Sequence, residues 1–450
     1  MRLLLMLLIG TLATSDTFSL GMSLGPGLSV KNALIYPIAL GLVFRMAMTG
    51  NFRVRLPIVN FAFVVWMSYA LLTWVACITL IQYPGYKPIH EAISLKSLLL
   101  DSAVFFFVYF YGADKEEDFF VLAKTLGFCV GVANILTLMD VAGIIHLNIT
   151  IGDSGVEADR VFGVFGHAND TAALMDCVLP LLAAIATSAR GGWAKLFWWS
   201  SALASLAVLL LSISRGAYVG VAIGYTTALW LCRRYLPTSR VVAWIVIGGT
   251  SLLVAAALAA FLMPVFTQAL TERLFNQSMA VSVATASSGR TAIWMAALNK
   301  MGEHPITFLT GFGFGVHRLM FTLVTHNYYL DQWFGLGLTG LFAFITILYQ
   351  TVTTALRAVA VADARLRPYM IAFVFGMLGL AVAIFFVNLE RPWDYVWLYA
   401  GFTLSAAVRA LEKAQSAPAR AVKTVPQPAG RAPIAVARAA RPRLVGDVRR

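Results

Sequence analysis

Apolar runs follow one another along most of this chain, each about 17 to 25 residues long and so able to cross a hydrocarbon core of about 30 Å as a helix. They lie at roughly 3–22, 31–48, 57–82, 94–112, 119–145, 170–189, 194–213, 216–232, 241–265, 328–350, 368–388 and 393–411. Only 12% of the residues are charged and 60% are hydrophobic, against about 25% charged in an average soluble domain. No soluble fold could hide that much apolar surface. The pattern predicts an all-α polytopic membrane protein with about twelve transmembrane helices.

Lys and Arg gather in alternate connections, and this orients the chain because cytoplasmic loops carry the positive excess. With the N-terminus inside, Arg45/Arg53/Arg55, Lys115, Arg190/Lys195, Arg233/Arg234/Arg240 and Arg357/Arg365/Arg367 fall on the cytoplasmic side, together with the tail. The acidic run Asp114 to Asp118 shares that side, but acids weigh little in this rule. Residues 1–15 also have the makings of a cleaved signal peptide, which leaves the later topology unchanged. The polytopic domain is expected to span 1–411. Residues 412–450 form a basic Ala/Pro/Arg-rich tail, with nine Lys/Arg against Asp447 from Lys413 onward, and it carries much of the net charge of +13. Such a segment reads as disordered, and its partner as anionic membrane lipid rather than nucleic acid. Cys77, Cys129, Cys177 and Cys232 lie scattered in apolar sequence, which indicates neither a disulfide framework nor a zinc site.

The parity of the spans places Arg160, Arg215 and one long polar stretch, 266–327, outside. That connection is far longer than usual, so it should carry function or be disordered. Within it, Arg290 to Met301 has helical character with Ser287 and Ser288 available as caps, and Gly311, Gly313 and Gly315 then break the helix. Arg215 sits between two apolar runs, either at a membrane end or inside it. A guanidinium there suits phosphate oxygens, because it donates two parallel hydrogen bonds and stays charged; snorkelling to headgroups is the plainer alternative. Arg290 and Arg160 share its side. Asp101, Asp140 and Asp176 lie toward the outer ends of their spans, which suggests a cavity opening outward or helix-to-helix hydrogen bonds.

His326 opens H-N-x9-G-x-x-G, from His326 and Asn327 to Gly337 and Gly340, where the loop re-enters the membrane. Histidine is a natural general base toward a sugar hydroxyl, although it could merely cap the next helix. Asp331 is spaced to orient its ring. His304 and His317 read as loop polar groups, with His167 in reserve. No H-E-x-x-H, P-loop or G-x-S-x-G string accompanies these residues, and the loop offers no carboxylate cage for a metal.

SRGAYVG (Ser214 to Gly220), SGRTAIW (Ser288 to Trp294), HPITFLTGFGFG (His304 to Gly315) and HNYYLDQWFGLGLTG (His326 to Gly340) together resemble the O-antigen ligase and polymerase superfamily of bacterial inner-membrane glycan transferases. RVFGVFGHAND (Arg160 to Asp170) is similar to a further element of the family, with Ala168 where a proline is common. The resemblance implies a GT-C-like fold with one large periplasmic loop over the active site. It also implies transfer of a glycan from a polyprenyl diphosphate carrier to an acceptor hydroxyl, without cofactor or metal. Arg215 and Arg290 would bind the diphosphate and stabilise it as leaving group, and His326 would activate the acceptor. Arg160, Asn169, Asn327 and Arg318 would contact substrate. Attack opposite the carrier would invert the anomeric centre. The string around His326 leans toward a ligase that uses lipid A core as acceptor, with an O-antigen or exopolysaccharide polymerase as the alternative. A lipid-linked sugar transporter or flippase would instead show pseudo-symmetric halves, and none is visible. Oligomeric state is not legible in the sequence.

Overall fold

The computed structural model describes residues 1–17, 23–25, 28–50, 54–147, 160–163, 166–236, 289–321, 325–389 and 392–416. The span expected at 241–265, residues 266–288 of the outer loop with Ser287 and Ser288, and residues 417–450 of the tail lie outside the described residues.

Helix α1 (Arg2–Thr17) is followed by an antiparallel ribbon, β1 (Ser23–Gly25) and β2 (Leu28–Ser29), and by α2 (Val30–Thr49). Then come α3 (Pro57–Ile81), α4 (Pro88–Gly112), α5 (Glu116–Val141), α6 (Ala168–Ser188) and α7 (Gly192–Leu211). A continuous helical run, α8, covers 215–232. Three shorter helices follow, α9 (Arg290–Glu303), α10 (Thr307–Thr310) and α11 (Val316–Met320), before α12 (Tyr328–Val361), α13 (Arg367–Ala383) and α14 (Trp393–Ser416). Proline at the first or second position of α3, α4 and α13 starts a helix where its missing N–H costs nothing.

Among the described residues, seven helices are long and apolar enough to cross a membrane: α2 to α7 and α12. Leu40, Phe44, Phe61, Leu72 and Phe342 stand exposed on these helices, as residues that face lipid do. The chain is therefore an all-α polytopic membrane protein. Helix α14 is less apolar, and it is buried from Trp393 through Val408, so protein rather than lipid surrounds it. Trp397 packs edge-on to Phe63 at 5.3 Å and stacks on Trp393 at 5.4 Å, near the centre of the aromatic core. This helix runs to Ser416, past the expected boundary at 411.

The acidic run that looked out of place in a basic loop is matched by bases from other helices. Arg2 Nε lies 2.6 Å from Asp118, and Arg45 Nη2 lies 2.8 Å from Asp114. Arg409 donates to the carbonyls of Ala113 and Lys115. A second set joins the starts of α2 and α14 to the middle of α4: Lys31 pairs with Asp394, and Asp101 accepts from Lys96 (3.0 Å), Asn32 (3.1 Å) and Tyr36 (2.5 Å). Helices α2, α4 and α14 are thus stapled at two levels.

Helix α12 is broken near its start at Gly337, whose φ of 58° and ψ of −164° suit glycine alone. The glycine-rich loop uses the break. Phe312 N–H donates to Phe334 O (2.8 Å) and Gly313 N–H to Gly335 O (2.9 Å), while Tyr83 and Tyr86 hydroxyls hold Phe312 O and Phe314 O from the other side. Burial pushes both phenols up. A Cβ on Gly337 would lie 2.1 Å from Leu309 O. Gly337→Ala should therefore destabilise the protein by about 3 kcal/mol, strain and overpacking together. The check is thermal unfolding in detergent, and an unchanged midpoint would refute the account.

Candidate active site

Three helix N-termini meet on one short turn, Ile384 to Leu389, that follows α13. The first is that of α8: a Cβ on Gly216 would come 2.6 Å from Phe386 Cβ, so the helix that begins with Arg215 sits directly against Phe386. The second is that of α9, which begins with Arg290. One turn on, Trp294 packs edge-on to Phe385 at 5.6 Å and donates from Nε1 to Thr325 O at 2.7 Å. The third is that of α12, where Tyr328 N–H donates to Ile384 O (2.9 Å) and Tyr329 hydroxyl to Ala381 O (2.7 Å). Arg215, Arg290 and His326, each half-buried, thus lie within about a turn of anchors on a single segment.

This arrangement has electrostatic content. A helix N-terminus carries about half a positive charge and unpaired N–H groups, so it attracts anions and opposes cations by about 0.3–1 kcal/mol each. Arg215 and Arg290 are first residues of their helices, the least favourable place for a guanidinium by this rule. An anion held between them would turn the penalty into binding energy, since guanidinium and helix end then act in the same direction.

His326 adopts φ 52°, a left-handed conformation that costs a residue with a Cβ about 1 kcal/mol or more. Its neighbours hold it there. Thr325 hydroxyl donates to Asp331 Oδ1 (2.5 Å), and Asn327 N–H donates to Thr325 Oγ1 (3.3 Å). Asn327 Oδ1 accepts from Leu330 N–H (3.0 Å), so Asn327 rather than His326 is the N-cap of α12. Asp331, which helical spacing offered to the His326 ring, is engaged by Thr325 and by Asn388 Nδ2, with His317 Nε2 at 4.0 Å.

Arg160 and Asn169 come together beneath the same site. Arg160 is buried, donating from Nε to Ser212 O (2.9 Å) and from Nη2 to Asn169 Oδ1 (2.7 Å). Val161 N–H adds a bond to Leu211 O (3.2 Å). These bonds brace the turn at Ser212 to Ser214 that launches Arg215. His167 caps α6 by accepting from Asn169 N–H, and it stacks on Phe162. Arg318 bonds Glu91 (3.2 Å) and Ser94 (2.9 Å) of α4.

The three aspartates do not share a cavity. Asp101 belongs to the staple of α2, α4 and α14, and Asp140 accepts from Leu147 N–H (2.7 Å). Asp176 is fully buried beside Gly220 and Gly379, where α8 meets α13. An open cleft does exist, lined by His317, Arg318, Tyr328, Asp331, Gln332 and Asn388 among others. Sequence reasoning missed Asn388 and the turn that carries it, because Phe385 and Phe386 look like the end of an apolar span.

Comparison with curated proteins gives no match. Residues 200–345 match the family model described as O-Antigen ligase, a stretch that runs from within α7 to beyond the break in α12 and includes Arg215, Arg290, the glycine-rich loop and His326. This match supports placing the chain in the O-antigen ligase and polymerase superfamily, among glycosyltransferase-like membrane enzymes of polysaccharide synthesis.

Proposed function

We propose that this protein is an inner-membrane glycosyltransferase that moves a glycan from a polyprenyl diphosphate carrier to an acceptor hydroxyl on the periplasmic face. The observation that carries the reading is the convergence of the N-termini of α8, α9 and α12, with Arg215, Arg290 and His326, on the Ile384 to Leu389 turn. The arginines and helix ends bind the diphosphate and meet the charge that grows on it as the glycosidic bond breaks. His326 takes the proton from the incoming hydroxyl. Because the acceptor attacks opposite the departing carrier, the anomeric centre inverts. Arginine supplies the positive charge, so the reading requires no metal.

The full reading has about twelve spans in a GT-C-like arrangement, with the loop at 266–327 over the site and the tail inside. Its acceptor is lipid A core, as in a ligase, and the motif at His326 to Gly340 favours that choice over a polymerase. The test is purified protein in liposomes with a carrier-linked glycan, supplied alone or with lipid A core. Product only with the core establishes a ligase, and product from the glycan alone a polymerase. Carrier that changes leaflet with no bond formed would identify a flippase and overturn the proposal.

A further inference from the structure

The turn that gathers the arginines has a second side. Phe385 and Phe386 face α9 and α8, but Asn388 and Leu389 line the open cleft bounded by α4, α11 and the first turns of α12. Resting on the glycan-transfer reading, we propose that this cleft is the subsite for the acceptor sugar, and that His317 and Asp331 hold one of its hydroxyls between them.

Four observations support it. First, the cleft is unsuited to a diphosphate. Its guanidinium, Arg318, is already paired with Glu91, and Asp331 adds a carboxylate. A neutral, hydroxyl-rich ligand fits that balance where an anion does not. Second, Asp331 has capacity left: it accepts from Thr325 and Asn388, and a carboxylate can accept about four bonds. Third, His317 Nε2 stands 4.0 Å from Asp331 Oδ2, too far for a direct bond. A hydroxyl oxygen about 2.8 Å from each would see the two at roughly a right angle, close to its own bonding geometry, donating to Asp331 and accepting from His317. Asn388 and Gln332, the latter fixed by a bond from Trp66 Nε1 (2.8 Å), offer amides for neighbouring hydroxyls.

The fourth observation is location. Thr325 bonds Asp331 through its side chain and Trp294 of α9 through its carbonyl. It immediately precedes His326 and so lies on the border between cleft and arginine side. A sugar seated on Asp331 is thereby adjacent to the base while the carrier lies beyond it, the order that an inverting attack needs.

The test is equilibrium binding to the full chain in nanodiscs, by saturation-transfer NMR, of two soluble probes: delipidated core oligosaccharide and one glycan repeat released from its carrier. Polyprenyl diphosphate binding serves as the parallel measurement. The wild type should bind at least one sugar probe, and which one it binds distinguishes the two acceptor sources. His317→Ala and Asp331→Asn should weaken that binding about tenfold or more, as loss of a hydrogen bond in a polar site does, and leave carrier binding unchanged. His317→Gln, which keeps a donor, should stay within about threefold, and it guards against a folding defect in the other two. Sugar binding that is absent from the wild type, or equal in wild type and His317→Gln but also in His317→Ala, overturns the proposal. Arg215→Ala should lose the carrier and keep the sugar; intact carrier binding there would strike the diphosphate role and leave the cleft standing.

Discussion

Arg215→Ala and Arg290→Ala should each lower the turnover number for glycan transfer by about 10²–10³-fold, the loss found when one preorganised charge donor is removed from a transition state. Cells should lose surface glycan accordingly, while the protein still inserts and purifies as the wild type does. Arg→Lys at either position should recover only part of the rate, because an ammonium keeps the charge but not the paired fork that fits phosphate oxygens. The same geometry gives an effect on ligand-linked stability, because a ligand that binds only the folded state stabilises it. Thermal unfolding with and without polyprenyl diphosphate checks this: the carrier should stabilise the wild type and fail to stabilise the variants. An arginine that served only to snorkel would give wild-type rates and no such difference.

The sequence exposes some of these features better than others. Helices were legible because a bilayer demands length and apolarity together, and both can be read along the chain. Helix α14 was legible as a run, but not as the buried centre of the bundle, since burial in protein and burial in lipid both favour apolar residues. Positive φ at Gly311, Gly313 and Gly315 followed from residue type. Their docking onto the break at Gly337 did not, because it depends on a backbone pairing between the glycine loop and a helix that resumes after a further turn of chain. Arg215, Arg290 and His326 stood out as polar groups at membrane ends. What joins them, the turn Ile384 to Leu389, is made of apolar residues and one asparagine, and its position against three helix starts is a property of packing alone. Asp331 was noticed through its spacing from His326, yet its bonds go to Thr325 and Asn388, because side-chain direction at a helix start is not set by spacing.

His326 offers a sharper test than arginine, because its backbone conformation separates chemistry from folding. Removing a general base costs about 10²–10⁴-fold in rate, but alanine at φ 52° would also pay left-handed strain and so confound the two effects. Asparagine adopts that conformation more readily than other residues with a Cβ, is close to imidazole in size and cannot take up the proton. His326→Asn should therefore keep the wild-type unfolding midpoint, bind polyprenyl diphosphate normally and lose transfer by at least about 10²-fold. The wild-type rate should fall on acidification, because a protonated imidazole cannot act as base, and the rate that remains in His326→Asn should lack that acid limb. If His326→Asn instead transferred at the wild-type rate, with the acid limb of its pH profile intact, the base would have to be sought elsewhere. His317, the other imidazole near Asp331, would be the next residue to replace, and a loss of turnover rather than of acceptor affinity in His317→Gln would identify it.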